Sequence, residues 1–587
     1  MKERLSNFHR CRGRHDTDGH HACGKVNIMS SGSEKNTVLV QGTILAVASL
    51  IVRLIGLIYR IPMTVIIGDA GIGYYSTAYQ VYNVILLLSS YSMPQAVSKL
   101  MAMRLAKKQY RNANRYFICS MIYSVISGLV FSAIMYFGAD FIAGTMLNAE
   151  MAAYSIRMLA PTVFVMSLLG VFRGFFQGFS DMVPTAISQV LEQIANAIGS
   201  IIGASMLFAY GAQVDIIKGT NNNAAALGAK GGTIGTLAGA ITALVVMIVI
   251  FIFNYPTLKA VMRREPRKRV YKYSRVFRDI SLMVTPIIIS TFIFHIINLI
   301  DNSIFGAYMS SIKQSEETYI SIWGVYSGKF MLLANLPIAL STALASSVIP
   351  QLSGAVERRD KGEICEKIDL SIRFTTLIAI PAMVGIAVLG GDMVILLFGD
   401  APSNADAGKM LLYGSLTVLV FSYATVTNGI LHGLGRMFTT VRNAFIALIV
   451  HIIVLMICLW ALKANIYGVV FSYMIFGLVV SVLNFFSILE STDFMGSFMK
   501  TFVKPFAASA IMGAAVFGVS FLINKFLVSY VSLKMLKFLS VIVSMNIGIT
   551  VYFFFTFFFG SVDEADLVDM PLGPRIGRMA RKMGLLK

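Results

Sequence analysis

Charged residues are scarce, at 13% of the 587-residue chain, against roughly 25% in an average soluble domain. A soluble chain of this length would split into several domains and would need far more charge to cover their surfaces. A soluble enzyme is therefore excluded. Recognisable catalytic motifs are absent too: there is no Walker A run, no Gly-x-Ser-x-Gly elbow and no His-Glu-x-x-His. Lacking a nucleotide site, the chain has no ATP-driven route of its own, so any pumping must draw on an ion gradient or the membrane potential, and no cofactor is called for. Cysteine is sparse as well. Cys11, Cys23, Cys119, Cys365 and Cys458 are scattered and odd in number, which argues against a disulfide framework. Cys11 and Cys23 lie near His9, His15, His20 and His21, but their spacing fits no tight zinc pattern, so no metal site is read there. Residues 1–36 are polar and basic and lack the apolar core of a signal peptide; Met29 offers a second start.

What the chain has instead is apolar sequence in long blocks, with 56% of its residues hydrophobic. A helix crosses a bilayer with about 20 apolar residues. Blocks of that length fall at 37–67, 72–103, 115–144, 151–179, 183–210, 229–254, 277–308, 321–354, 369–398, 406–435, 438–462, 466–490, 500–524 and 534–560. The expected fold class is an all-α polytopic membrane protein of about 14 transmembrane helices.

The net charge of +20 does not point to nucleic acid, because the bases sit in short loops and at the termini. They gather in the N-terminal tail, after the second span (Arg104 to Arg115), after the sixth (Lys259 to Arg278), after the eighth (Arg358, Arg359, Lys361, Lys367) and in the C-terminal tail. With fourteen spans all of these fall on one side, and Asp69, Asp140, Glu150, Asp215, Glu316, Glu317, Asp400 and Asp406 fall on the other. By the positive-inside rule both ends face the cytoplasm of a cell inner (cytoplasmic) membrane.

Two internal echoes suggest duplication. Arg173-Gly-Phe-Phe-Gln-Gly-Phe-Ser-Asp-Met-Val-Pro-Thr185 resembles Asn428-Gly-Ile-Leu-His-Gly-Leu-Gly-Arg-Met-Phe-Thr-Thr440 in its Gly-x-x-x-Gly and Met-x-x-Thr, 255 positions apart. Tyr82–Ser98, with Met-Pro-Gln, is echoed more loosely by Tyr326–Ser353, with Ile-Pro-Gln. The reading is a basic tail (1–36), a six-helix lobe (37–254), a basic cytoplasmic linker (255–276), a second six-helix lobe (277–490), two further helices (491–560) and a cytoplasmic tail (561–587). Transport proteins are often built from such paired lobes, with substrate held between them near the midplane.

Ionisable groups inside spans are costly and are functional candidates by default. Arg53 and Arg60 are seven residues apart in the first span, hence on one helical face, with Gly56 between them. Lys329 lies in the eighth span, where snorkelling to the boundary is the competing reading. The seventh span carries His295, Asn298, Asp301 and Asn302 on one face; Asp301 could pair with a base, bind a coupling cation, or serve as a polar contact between helices. Gln189, Glu192, Gln193 and Asn196 form a stripe on the fifth span that either lines a cavity or glues helices together. Arg173, at the end of the fourth span, reads first as structural or interfacial. Arginines and a lysine together suit an anion, since guanidinium makes charge-assisted and often bidentate bonds to phosphate. Such bases could hold a pyrophosphate while a lipid tail stays in the bilayer.

Val52-Arg-Leu-Ile-Gly-Leu-Ile-Tyr-Arg-Ile-Pro62, Gly68-Asp-Ala-Gly-Ile-Gly-Tyr-Tyr75 and Phe172-Arg-Gly-Phe-Phe-Gln-Gly178 resemble the polysaccharide-exporter branch of the MOP superfamily. The likeness is to the Gram-positive group that holds stage V sporulation protein B and the MurJ-type lipid II flippases, and it spans about residues 37–560. It implies two six-helix bundles forming a V, with two C-terminal helices lining a lipid-binding groove. It further implies flipping of an undecaprenyl-pyrophosphate-linked saccharide by alternating access. The family's cavity arginines on the first helix match Arg53 and Arg60, here spaced one residue wider, and its arginine on the eighth corresponds to Lys329. The acid before that base is replaced by Gly328, and the family's second-helix arginine has no counterpart in Leu88-Ser-Ser-Tyr91. The expected partners are a lipid-linked oligosaccharide, membrane lipids and a candidate coupling cation, with no nucleic acid, and the chain is expected to act as a monomer. Two rival readings are an ion-coupled multidrug exporter, which would favour carboxylates and aromatics, and a membrane glycosyltransferase, for which the outer loops are short.

Overall fold

The computed structural model describes residues 30–264, 270–494, 496–562 and 581. Cys11, Cys23, the neighbouring histidines, Arg267 to Arg269 of the basic linker and most of the C-terminal basic run lie outside the described residues. Among the described residues the chain is helical and contains no strand.

The helices are α1 (Ser30–Leu86), α2 (Met93–Ala106), α3 (Tyr110–Phe137), α4 (Ala153–Gly178), α5 (Val183–Lys218), α6 (Asn223–Arg264), α7 (Tyr273–Ser311) and α8 (Glu316–Val325). They continue with α9 (Met331–Arg358), α10 (Lys361–Phe398), α11 (Pro402–Gly414), α12 (Leu416–Gly433), α13 (Met437–Met456), α14 (Asn465–Leu489), α15 (Lys504–Leu527) and α16 (Leu533–Phe558). Single π-helical turns join α1 to α2 (Leu87–Tyr91) and α8 to α9 (Tyr326–Phe330).

Among the described residues twelve helices are long and apolar enough to cross a membrane, or thirteen if the bent pair α11–α12, angled at 53°, is one span. The expected fourteen is reached only if the 60-residue run Val47–Ala106 counts as two crossings. That run would be about 90 Å long at 1.5 Å per residue, against a hydrocarbon core of about 30 Å. It breaks at Gly68, whose φ of 70° is open to glycine and strained for other residues.

The chain divides into two compact units: Met1–Ile67 with Thr77–His295, and Gly68–Ser76 with Ile296–Lys587. In the first unit α5 and α6 pack through glycine. A side chain at Gly199 would meet the Gly235 Cα at 2.9 Å, and one at Gly203 the Gly231 carbonyl oxygen at 2.5 Å. The opposite face of α5 is an exposed stripe of Ile187, Leu191, Ile194, Ile198, Ile202 and Met206. Small residues inward and large apolar residues outward is the arrangement a helix needs when its solvent is lipid, because backbone approach and not apolar burial holds such helices together.

The internal echoes are two halves of one repeated contact. In the first unit Gly174 and Gly178 of α4 lie against α2, where added Cβ atoms would meet Val97 Cβ at 2.8 Å and Met101 Cβ at 2.9 Å. In the second unit Gly429 and Gly433 of α12 lie in the same way against α9, with Ala345 Cβ and Leu352 Cβ each at 3.0 Å. The Gly-x-x-x-Gly segment and the Pro-Gln segment are therefore partners in each half.

Candidate functional site

In the first unit Arg173, Glu192, Gln193 and Asn196 lie among contacts that join α1, α4, α5 and α6. Arg53 is exposed and Arg60 half-buried on α1. The Arg60 guanidinium lies 5.9 Å from the centroid of the Tyr79 ring, at the outer edge of cation–π range. Gly56 allows α1 close to α5, since a Cβ there would sit 3.2 Å from Gln193 Nε2. Arg173 Nη2 donates to Glu192 Oε2 at 2.6 Å and Arg173 Nε to Ser188 Oγ at 3.0 Å, with the arginine buried and the acid half-buried. Two residues considered separately thus form one ion pair, and Glu192 enters the site already countered.

Asn196 resolves one choice left open by the stripe on α5. It bonds to Gln193 and to the Tyr59 hydroxyl on α1, and its Oδ1 accepts from Ser200 Oγ at 2.9 Å and from Thr236 of α6 at 3.4 Å. At Asn196 the stripe is interhelical glue. Gln189 is half-buried, and its Oε1 has no hydrogen-bond partner among the described residues.

In the second unit Lys329 does not snorkel. It is 3% exposed, in the π-helical turn between α8 and α9. Its ammonium donates to Asp69 Oδ1 at 2.6 Å, Asn404 Oδ1 at 2.6 Å and Ser403 Oγ at 3.2 Å, so all three protons are used. Ser403 Oγ in turn donates to Asp69 Oδ2. The acid missing at 328 is thus supplied by the Gly68–Ser76 segment. That segment is seated in the same unit by Tyr74 donating to Glu316 and by the Ser76–Ser327 hydroxyl pair at 2.6 Å. Gly73 and Gly324 are in backbone contact with Ile320 and Asp69, and neither position has room for a side chain.

Asp301 and His451 are both fully buried, with Asp301 Oδ1 2.6 Å from His451 Nε2. His451 Nδ1 stands 2.8 Å from the Ser472 carbonyl oxygen, and Asn302 accepts from the Tyr319 hydroxyl. Asn298 and His295 are half-buried. A further cluster went unflagged in the sequence. Asp392 of α10 accepts from Lys537 Nζ at 2.6 Å, Ser540 Oγ at 2.6 Å and Asn524 Nδ2 at 3.1 Å, tying α15 and α16 to α10. Sequence reasoning also missed His451 and Asp69 as partners. A lone ionisable residue inside an apolar run, as in Ile449-Val-His-Ile-Ile453, was the available signal.

Residues 38–356 match the family model described as polysaccharide biosynthesis protein. The chain is similar to the lipid II flippase MurJ of Bacillus subtilis (strain 168), 25% identical over 530 residues that cover 88% of this chain and 94% of that protein. It is also similar to stage V sporulation protein B of the same organism, 21% identical over 66% of this chain and 69% of that one. Among solved structures, an inward closed conformation of the lipid II flippase MurJ aligns at a TM-score of 0.60 and 16% identity, covering 88% of this chain and 98% of that one. An inward-facing multidrug resistance MATE family transporter of the MOP superfamily aligns at 0.59 and 15%, covering 76% and 98%. The structural likenesses concern the fold.

Proposed function

Because the chain belongs to the polysaccharide biosynthesis protein family of the MOP superfamily and is a multi-pass membrane transporter, we propose that it flips an undecaprenyl-pyrophosphate-linked saccharide, the peptidoglycan precursor lipid II first among candidates, across the cytoplasmic membrane by alternating access. The observation that carries this reading is the pair of arginines on one face of α1, Arg53 exposed and Arg60 half-buried, two turns apart in a span otherwise apolar. Guanidinium stays charged under all ordinary conditions and matches phosphate geometry, so these two groups receive the diphosphate. Lys329 is the third cation of the proposal, and it joins only in a state where Asp69 has released it. The two six-helix lobes at 37–254 and 277–490, cytoplasmic termini and a monomeric unit belong to the same proposal.

The test is flipping of defined undecaprenyl-pyrophosphate-linked saccharides in proteoliposomes. Arg53→Ala and Arg60→Ala each lose transport while the protein stays folded, and Arg53→Lys restores only part of it, because a point charge cannot reproduce bidentate binding. Normal flipping by Arg53→Ala would remove the principal site. An ion-coupled multidrug exporter would need carboxylates ready for an organic cation, and Glu192 and Asp301, the acids of the candidate set, are already bonded to Arg173 and His451.

A further inference from the structure

Asp301 lies near the middle of the span Thr291–Ser311, and His451 near the middle of Met437–Ala461. Both are fully buried. Hydrogen-bond chemistry fixes how many protons they hold. The Ser472 carbonyl can only accept, so His451 Nδ1 carries a hydrogen. Across the 2.6 Å contact between Nε2 and Asp301 Oδ1 one atom must donate and the other accept. Either the imidazole is cationic beside a carboxylate, or a neutral imidazole accepts from a carboxylic acid. Both descriptions place one titratable proton on that line and leave the pair neutral overall. Removing it leaves a lone pair on Nε2 facing a carboxylate in a dry interior, with net charge −1, which the contact cannot survive.

The surroundings supply what an exchanging site needs. Among the described residues, Asp301 Oδ2 is buried without a hydrogen-bond partner, and so is the Tyr326 hydroxyl. Tyr326 and Tyr473 are the ionisable neighbours within electrostatic reach of Asp301, and the Phe476 ring lies edge-on to the imidazole at 6.0 Å. Tyr326 opens the π-helical turn that also holds Lys329, and single π turns inside helices recur at functional sites. A carboxylate that loses its proton needs a new donor, and the Tyr326 hydroxyl is the candidate for it. Tyr326 stands three residues before Lys329, the partner of Asp69.

We propose that the His451–Asp301 pair is a proton-binding site whose occupancy couples this protein's transport cycle to the transmembrane proton gradient. The step is one acid dissociation: the N–H or O–H bond on the shared line breaks, the proton passes to water, and Asp301 is re-bonded by the Tyr326 hydroxyl. Sodium is disfavoured as the coupling ion, because the imidazole already occupies one carboxylate oxygen and the pair carries no net negative charge while protonated. The transport arm of this inference rests on the flippase reading; the proton-binding arm does not.

Trp323 is fully buried and packs 5.1 Å from Tyr326, which makes it a reporter of the site. In a Trp460→Phe background Trp323 is the chain's only tryptophan. Purified full-length protein in that background shows a single-proton step in tryptophan emission against pH, unchanged by sodium chloride and lost in Asp301→Asn and His451→Gln. The absence of a step, or its replacement by a sodium-dependent one, overturns the site. In proteoliposomes one proton per turnover makes each pH unit of gradient worth about tenfold in the final distribution of undecaprenyl-pyrophosphate-linked saccharide. Flipping that follows a sodium gradient and ignores pH overturns the coupling. Tyr326→Phe removes one hydroxyl and keeps the ring; it retains the emission step and loses the pH-driven gain. If wild type moves no saccharide under any gradient, the flippase reading fails while the emission titration still decides the proton site.

Discussion

Replacing Asp69 by Asn removes one charge while keeping the shape of the side chain. What it leaves behind is an ammonium group 3% exposed whose acceptors are all neutral: Asn404, Ser403 and the amide oxygen now at position 69. At 2.6 Å the intact pair gains about 6 kcal/mol at an effective dielectric of 20, and desolvation of the two ions offsets most of that. The net value of the pair is therefore small, but breaking it is expensive: an uncompensated buried charge costs about 3–5 kcal/mol. Lys329→Met leaves the opposite orphan, a carboxylate whose side chain is 16% exposed and which still accepts from Ser403, so it costs about 1–3 kcal/mol. The double variant has no charge left to strand and returns to within about 1 kcal/mol of wild type. A double-mutant cycle on the four proteins, followed by detergent-induced unfolding of the purified chain, thus returns a coupling of about 3 kcal/mol or more with Asp69→Asn the worse single change. Equal single costs, or a double variant whose loss is the sum of the two, would refute the claim that Lys329 is held by this acid.

The same logic applies elsewhere in the spans. Glu192→Gln strands the buried Arg173 and lowers stability by about 2–4 kcal/mol, more than Arg173→Met, as read by thermal unfolding in detergent. Asp392→Asn loosens the hairpin of α15 and α16, so that a cysteine placed at buried Val516 reacts faster with a thiol reagent, whereas a change at the exposed Lys525 leaves that rate alone. Gly174→Leu and Gly429→Leu force their helices apart and each cost at least about 1–3 kcal/mol, while Gly518→Ala, with open space around it, is silent in the same melt.

Apolar block length made the membrane-spanning helices readable in advance, because lipid leaves a helix few alternatives. An interruption between 67 and 72 was legible in the sequence; that the chain stays helical on both sides of a single kink at Gly68 was not, because the sequence does not state a glycine's φ. The echoes were visible as text, but their meaning was not. Only coordinates show that each Gly-x-x-x-Gly segment lies on the Pro-Gln segment of its own half. The candidate residues were found because an ionisable group in a span stands out, and their partners were missed because pairing is non-local. Asp69 and Lys329 are 260 positions apart and Asp301 and His451 are 150. Arg173 and Glu192 could have been joined from sequence, being opposite charges on adjacent helices connected by a short turn.

Four ionisable groups set deep in the helices have acquired opposite partners: Arg173 with Glu192, Lys329 with Asp69, Asp301 with His451 and Asp392 with Lys537. Each pair is close to neutral as a unit and is buttressed by hydroxyl, amide or carbonyl groups, which is how a helix bundle keeps polar groups out of hydrocarbon. Arg53 and Arg60 are two like charges on one face of α1. They rise about 10 Å apart along one helix face, carry the same sign and cannot pair with one another. Neither can shed its proton to relieve the repulsion. Like charges so placed repel one another, and on the proposed function an anion arriving between them lowers that repulsion. The buried pairs hold helices together within each unit, while on the proposed function the two arginines of α1 set the sign of the cargo. The expected outcome in proteoliposomes is that a diphosphate-bearing lipid is moved and a neutral or cationic amphiphile is not; equal transport of both would refute the role given to Arg53 and Arg60.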